Sequence, residues 1–410
     1  MGNALQLFSS IKIGRLELKN RIVKSATHES MAGPEGEVTD EAVNFYCRLA
    51  RGGAGLIIAG NLFHDWAGHN WPLQLGIHSD EMIPGLQRLT HAVHAEGGVV
   101  FAQINDCGRD AKAVYCRGSH PRGPSRVPHL LFLHVPRAMS KDEIRSVIES
   151  FARAAVRAKT AGFDGVQFHG AHGYLINQFL SPFTNRRKDE YGGPLENRRR
   201  FVRELYQAVR SAVGDDFPVI IKLNADDKFP LPLGVRFKES LATAKMLAEL
   251  GLDALEISCG LYESGMAMIR GPMPLKLAVR TVRELAVLPA PLKWLLLLSN
   301  PIGARLYPFR ENYNLDYAKA VKQEVSIPVL TVGGIRDPQK MEQIIKEGWA
   351  DMVSLARPLI AEPEFPRRIA EGDLSPSKCV NCNLCLMHIQ VKGLRCYRGK
   401  MPGPQEYWPS

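Results

Sequence analysis

Two histidines and a tyrosine, His169, His172 and Tyr174, stand together in the run HGAHGYLINQFLSPFTNRRKDEYGG, from His169 to Gly193. A short strand-like stretch, Phe163 to Phe168, leads into them. Imidazoles at a strand's C-terminal end can hold a carbonyl oxygen, and hydrogen bonds to that oxygen strengthen as enolate charge develops. A phenol, with a pKa of about 10, is a competent acid toward an enolate-like carbon. Together they are the equipment for reducing an activated double bond. The bland reading is two helix-start histidines and a packed tyrosine. A metal reading of His169 and His172 lacks a suitably spaced carboxylate or cysteine.

A second group is sulfur. Cys379, Cys382, Cys385 and Cys396 follow the spacing C-x2-C-x2-C-x10-C, while Cys47, Cys107, Cys116 and Cys259 are scattered. Thiolates so spaced suit an iron–sulfur cluster or a structural zinc, and unmetallated thiols remain a third reading. A third group could hold phosphate. Gly333-Gly334-Ile335 closes one strand-like run ahead of a helix start near Asp337-Pro338, and Ala356-Arg357 closes the next. Glycines let backbone amides approach an anion, a helix N-terminus favours it, and an Arg adds charge.

These groups need a frame. Eight short apolar runs read as buried parallel strands: Arg21–Ala26, Gly55–Gly60, Val99–Ile104, Gly165–His169, Val219–Asn224, Ala254–Ser258, Pro328–Gly333 and Asp351–Ala356. Helical patterns lie between them, including IPGLQRLTHAVHAEG, KDEIRSVIESFARAAVRAKTAG and LENRRRFVRELYQAVRSAVG. Eight β–α units predict an α/β fold, a (β/α)8 TIM barrel with a short Cys-rich C-terminal extension. An open doubly wound sheet would need a Gly-rich dinucleotide turn after an early strand, and none is present. The stretch LFSSIKIGRLELKN reads as a hairpin closing the barrel floor, and the Pro-punctuated stretch from Arg270 to Asn312 as an elaborated loop and helix. The division is a barrel over 1–372 and a Cys-rich tail over 373–410.

Composition bounds the function. The chain has 410 residues, 45% hydrophobic and 23% charged, which suits one large globular domain with a small appendage. The formal net charge of +10 includes the clusters Arg186-Arg187-Lys188 and Arg198-Arg199-Arg200. A solvated basic face explains them, and the absence of zinc-finger spacing or basic-aromatic interleaving argues against nucleic acid. Basic character also suits phosphate-bearing partners. The apolar stretch LKWLLLLSNPIG is too short to span a bilayer and reads as a barrel helix or covering segment. The opening MGNALQLF lacks the pattern of a signal peptide, and Gln6 stands where a myristoylation motif needs Ser or Thr. With the cysteine usage, this predicts a reduced, cytoplasmic protein.

Several ordered segments carry a resemblance: KNRIV, the turn after GLIIAG, Gln103 with Gly108-Arg109, VIIKLN, VGGI, LARPLIAEPEF and NRRKDEYGGPLENRRRF. Over roughly residues 5 to 370 the chain resembles the old yellow enzyme family, the FMN-dependent ene-reductases of the NADH:flavin oxidoreductases. The resemblance implies an FMN-binding barrel. Ser25, Ala26 and Thr27 would line the flavin edge, with Gly60 in the turn after the second strand. Gln103 would bond the pyrimidine ring, and Lys222 would sit on the N1–O2 side. Gly333, Gly334, Ala356 and Arg357 would take the phosphate. For Gln103 the plain reading is a satisfied strand-end amide, and for Lys222 an ion pair with Asp226 or Asp227.

His169 and His172 would grip a substrate carbonyl and Tyr174 would protonate the α-carbon. NADH or NADPH would be the reductant, and the substrate an enone, enoate or enoyl thioester. His28, where relatives place a flavin-tuning Thr or Cys, would face the flavin or substrate, or be a core histidine. Two further departures are Lys222, where the family usually has Arg, and Asp106, where a His is common. The tail resembles the 2,4-dienoyl-CoA reductase branch, which places a 4Fe–4S cluster after its barrel, with one more residue between the second and third Cys. It implies a cluster and an electron-donor protein as partners. Some relatives oxidise amines or reduced rings, and a reading of a different class is an electron-transfer subunit in which FMN and a tail cluster pass electrons within a complex. Homo-oligomers are common in such barrels. Specificity is expected in the loop from Asp110 to Arg137 and the insertion from Arg270 to Asn312.

Overall fold

The computed structural model describes residues 5–129, 134–229, 233–264, 267–281, 283–389 and 393–399. Eight strands form one closed parallel barrel: β1 (Ile22–Lys24), β2 (Leu56–Phe63), β3 (Val100–Asn105), β4 (Gly165–Gly170), β5 (Val219–Asn224), β6 (Ala254–Ser258), β7 (Val329–Val332) and β8 (Met352–Leu355). Each expected strand is present within a few residues of its expected ends. Each pairs with its sequence neighbour, and β8 returns to β1 through Val353–Ile22, Ser354–Val23 and Leu355–Lys24. This is a TIM barrel.

The apolar runs become strands because both of their faces are covered. Val23, Leu56, Ile58, Phe101, Ile220, Leu330 and Met352 fill the barrel's lower interior, while Ile22, Ile57, Val100 and Ile221 face the helices. Ile13 and Leu18, from the antiparallel hairpin Ile11–Ile13 with Leu16–Leu18, join the interior cluster and plug the floor. Gly165 opens β4 where a Cβ would stand 2.6 Å from the Phe101 ring, so a larger residue would push that ring out of the interior.

The helices start where their caps stand. Helix α1 (Asp40–Arg51) is capped by Thr39, whose hydroxyl accepts from the Ala42 N–H. Helix α2 (Ile83–Ala95) precedes β3, and α3 (Lys141–Thr160) opens with a Ser140–Glu143 capping box. The short α4 (Leu175–Leu180) begins directly after Tyr174, and α5 (Leu195–Val213) follows it. Phe179 of α4 stacks on Phe201 of α5 with ring centroids 4.2 Å apart.

The stretch from Arg270 to Asn312 is more helical than its prolines suggested. It contains Leu275–Thr281, Arg283–Ala286 and Ala290–Leu306. Pro289 is the cap residue of the last of these and Pro291 lies in its first turn, where a missing N–H costs nothing. Its residues Trp294, Leu295 and Leu298 are exposed. Among the described residues no helix is long and apolar enough to cross a membrane.

Candidate active site

The C-terminal ends of the strands open into a cavity of about 1260 Å³, counting its mouth. Most of the nominated residues meet there: Ser25, Ala26 and Thr27 after β1, Gln103 on β3, His169 on β4, Lys222 on β5, Gly333 and Gly334 after β7, and Ala356 and Arg357 after β8. His28, His172 and Tyr174 complete the wall. Gly60 does not line the cavity. Its N–H donates to the Tyr46 hydroxyl at 3.0 Å, and a Cβ there would stand 1.4 Å from the Thr27 carbonyl oxygen. It serves the site from behind, by letting β2 press against the Thr27 backbone.

Beneath the cavity lies a polar layer that the sequence only half announced. Gln103 Nε2 donates to Gln167 Oε1 at 2.6 Å, and Gln167 Nε2 to Glu256 Oε2 at 2.8 Å. Ser25 Oγ donates to the other Glu256 oxygen at 2.7 Å. Lys222 Nζ donates to Ser25 Oγ at 2.9 Å and stands 3.4 Å from Glu256 Oε2. The partner of Lys222 is therefore Glu256 on the adjacent strand, in register at Glu256–Lys222, rather than Asp226 or Asp227. Glu256 and Gln167 are fully buried. Their signal was available: an acidic residue and an amide inside otherwise apolar strand runs, where burial demands partners.

His169, His172 and Tyr174 sit above. His169 Nε2 and His172 Nδ1 are 3.0 Å apart, and His172 Nε2 is 2.7 Å from Ser258 Oγ at the end of β6. His172 holds a positive φ of 64°, an uncommon conformation for a residue other than glycine. The Asn224 Oδ1 accepting from its N–H at 3.2 Å pins that turn. Burial, then the nearby His172 and Lys222, hold His169 well below the usual imidazole range. Burial and Lys222 push His172 down to about 3, so both rings are neutral at pH 7. Tyr174 stands edge-on to His169 with centroids 4.6 Å apart. Its hydroxyl lies 3.1 Å from that of Tyr262, which sequence reasoning missed. Burial raises the Tyr174 phenol well above 10, with Tyr262 adding to it, so the proton stays on at neutral pH.

His28 stacks on Trp71 with centroids 5.6 Å apart and meets Ser30 Oγ through Nε2 at 2.7 Å. Burial first, then His69, push it down to about 3, which makes it a neutral wall residue. Asp106 replaces the expected His for a local reason. It is buried 2.9 Å from Arg122 and 3.4 Å from His64, and accepts the Gly108 N–H at 2.7 Å.

The tail closes over the barrel's top. Asn381, Cys385, Leu386, Ile389 and Leu394 line the cavity mouth. Arg357 turns toward this tail, donating to the Arg270 carbonyl at 2.8 Å and to Asn383 Oδ1 at 2.5 Å. Cys379, Cys382, Cys385 and Cys396 all border one small adjoining cavity. Yet among the described residues no group of three or more Cys, His, Asp or Glu is arranged to hold a metal ion. Among the described residues, then, the thiols are gathered around one cavity without fitting a cluster or zinc as they stand.

The rest of the cavity fits FMN. Buried polar atoms on its wall, Ser354 Oγ and His169 Nδ1, have no hydrogen-bond partner among the described residues. Gly333 and Gly334 take φ values of 130° and 74°, exposing backbone where a Cβ would strike Tyr313 or the Arg310 carbonyl oxygen. Lys222 supplies a cation beneath.

Fold and site thus define a TIM barrel whose strand ends open on a cavity that fits a flavin. The chain belongs to the NADH:flavin oxidoreductase / NADH oxidase family, whose model matches residues 6–265 and 300–374. It is 39% identical over 380 residues to the NADH oxidase of Thermoanaerobacter brockii, covering 92% of this chain and 53% of the relative. It is 32% identical over 398 residues to the 4,4'-dithiodibutanoate disulfide reductase of Rhodococcus erythropolis, covering 95% and 94%. The chain therefore spans about half the length of the first of these. Among solved structures it is similar to a 2-naphthoyl-CoA reductase complex, with a TM-score of 0.82 and 27% identity over 98% of this chain and 58% of that one. It is also similar to morphinone reductase in complex with tetrahydroNAD, with a TM-score of 0.69 and 26% identity over 92% and 93%. The histamine dehydrogenase of Rhizobium sp. 4-9 matches with a TM-score of 0.78 and 27% identity, over 98% and 52%.

Proposed function

We propose that the protein is an FMN-dependent, NAD(P)H-driven reductase of the C=C bond of an α,β-unsaturated carbonyl compound, an enone, enoate or enoyl thioester. The observation that carries this reading is the meeting of two neutral imidazoles and a protonated phenol on one cavity wall. An oxygen held against His169 Nε2 and His172 Nδ1 gains hydrogen bonds that strengthen as it becomes an enolate oxygen. FMN, when bound, supplies the hydride that the β-carbon receives. Tyr174 holds the proton for the α-carbon, and Tyr262 fixes the direction of that hydroxyl. Trp71 and His28 wall the cavity. Likeness to a 2-naphthoyl-CoA reductase supports a conjugated thioester as one substrate form. This reading needs neither a cluster in the tail nor an electron-donor protein, and among the described residues the tail thiols are gathered without a metal-ligand arrangement.

The test is an anaerobic spectrum of the FMN-loaded protein. Bleaching by NADH or NADPH and recovery on adding cyclohexenone are expected. Failure to bind FMN, or recovery with oxygen but with no enone, enoate or enoyl thioester, would overturn the reading. Bleaching by an amine instead would place the protein with the oxidative members.

A further inference from the structure

We infer that Ser258 is a positioning residue, whose hydroxyl sets the tautomer of His172 so that both histidines can donate to one substrate oxygen. This rests on the carbonyl-holding role just proposed. His169 Nε2 and His172 Nδ1 lie 3.0 Å apart, so with no oxygen between them one ring donates to the other. An oxygen can bond both only if each nitrogen carries its own proton. A neutral imidazole has one N–H and one bare nitrogen. His172 must then be protonated at Nδ1, which leaves Nε2 as an acceptor.

The group at that nitrogen is Ser258 Oγ, 2.7 Å away on a residue 4% exposed. A hydroxyl can donate or accept there; once Nδ1 gives its proton to a substrate oxygen, donation from Ser258 Oγ satisfies the bare Nε2 and favours that tautomer. The ring has little freedom to escape. Its backbone is pinned by Asn224 and by a bridge to Leu261, and its φ is positive. Without the hydroxyl, the His172 ring is free to carry its proton on Nε2. Its bare Nδ1 would then face the substrate oxygen, lone pair to lone pair. Ser258 also lines the cavity, but its reach is through His172 rather than to the reacting atoms.

The experiment uses the FMN-loaded protein and compares Ser258→Thr with Ser258→Val, two variants of one shape that differ by the hydroxyl. The probe is 4-hydroxybenzaldehyde, a phenol that mimics an enolate oxygen, titrated through the flavin absorbance. Nitrogen-15 shifts of His172 report its tautomer. Ser258→Thr should bind the phenol as the native protein does and keep the Nδ1–H form. Ser258→Val should bind about tenfold more weakly, the loss of one oriented hydrogen bond, and shift toward Nε2–H. The kcat/KM for cyclohexenone should fall in parallel in Ser258→Val and hold in Ser258→Thr. Equal binding and an equal tautomer in the Thr and Val variants would overturn the role of Ser258. If His172→Ala also keeps native phenol affinity, the carbonyl-holding role itself fails, and the two failures are told apart.

Discussion

Tyr174→Phe separates the acid from everything else in the site. The hydroxyl it removes contacts Tyr262 at 3.1 Å, while the ring's edge contact with His169, at 4.6 Å between centroids, survives. The residue is 4% exposed, and losing one neutral hydrogen bond costs about 1 kcal/mol of stability. The variant should therefore fold and bind FMN. General acids contribute about 10²–10⁴ in rate, or roughly 3–5 kcal/mol of barrier. The native effect should fall at the low end, about a hundredfold, because Tyr262 remains beside the vacated position. Burial raises the Tyr262 phenol above its usual value, so it too carries a proton. Adding Tyr262→Phe should bring the loss toward about 10⁴. Anaerobic stopped-flow absorbance resolves the two half-reactions. Flavin reduction by NAD(P)H should be unchanged, and reoxidation by cyclohexenone should slow and lose its solvent isotope effect. A reoxidation rate equal to the native one, or an equal slowing of both halves, would refute the assignment of Tyr174 as the acid.

Glu256→Ala should strand Lys222 as a buried unpaired cation, lowering unfolding free energy by about 3–5 kcal/mol in urea titration. Glu256→Gln keeps the shape but removes the countercharge, and dye equilibration should show a higher FMN reduction potential. Gly60→Ala should fail to accumulate as folded protein, because its Cβ would overlap the Thr27 carbonyl; circular dichroism checks this.

Acid should destabilise the protein through its buried histidines. His28 and His172 are held at about 3 and His69 at about 4, all below the usual 6.5. The unfolded chain binds more protons between those values, so stability is present above pH 6.5 and falls as pH drops toward 4. Each histidine contributes about 1.4 kcal/mol per pH unit in that window. Melting temperatures from pH 7 to pH 4 should fall accordingly, and mutation of His69 to Gln should reduce the slope.

The barrel was legible because its strands are buried on both faces and so read as unbroken apolar runs, from Leu56–Phe63 to Met352–Leu355. Helix ends were legible where a cap is a local hydrogen bond, as at Ser140. The stretch from Arg270 to Asn312 was legible as loop and helix, but not its three separate helices, because prolines at a helix start look, in sequence, like prolines in a loop. Gly60 was placed in the cofactor wall by its turn, while its need is contact with the Thr27 backbone, residues away in sequence.

The sequence by itself determined the chemistry available: His169 and His172 three residues apart, Tyr174 beside them, a lysine inside an apolar strand, four cysteines in the tail. These are properties of residue type and short spacing. Tertiary structure alone decided which groups act on which. Lys222 meets Glu256, and His172 meets Ser258, only because parallel strands set distant residues in register. It also gathered the four tail thiols, up to seventeen residues apart in sequence, around one small cavity, since which thiols meet depends on the path of the chain between them.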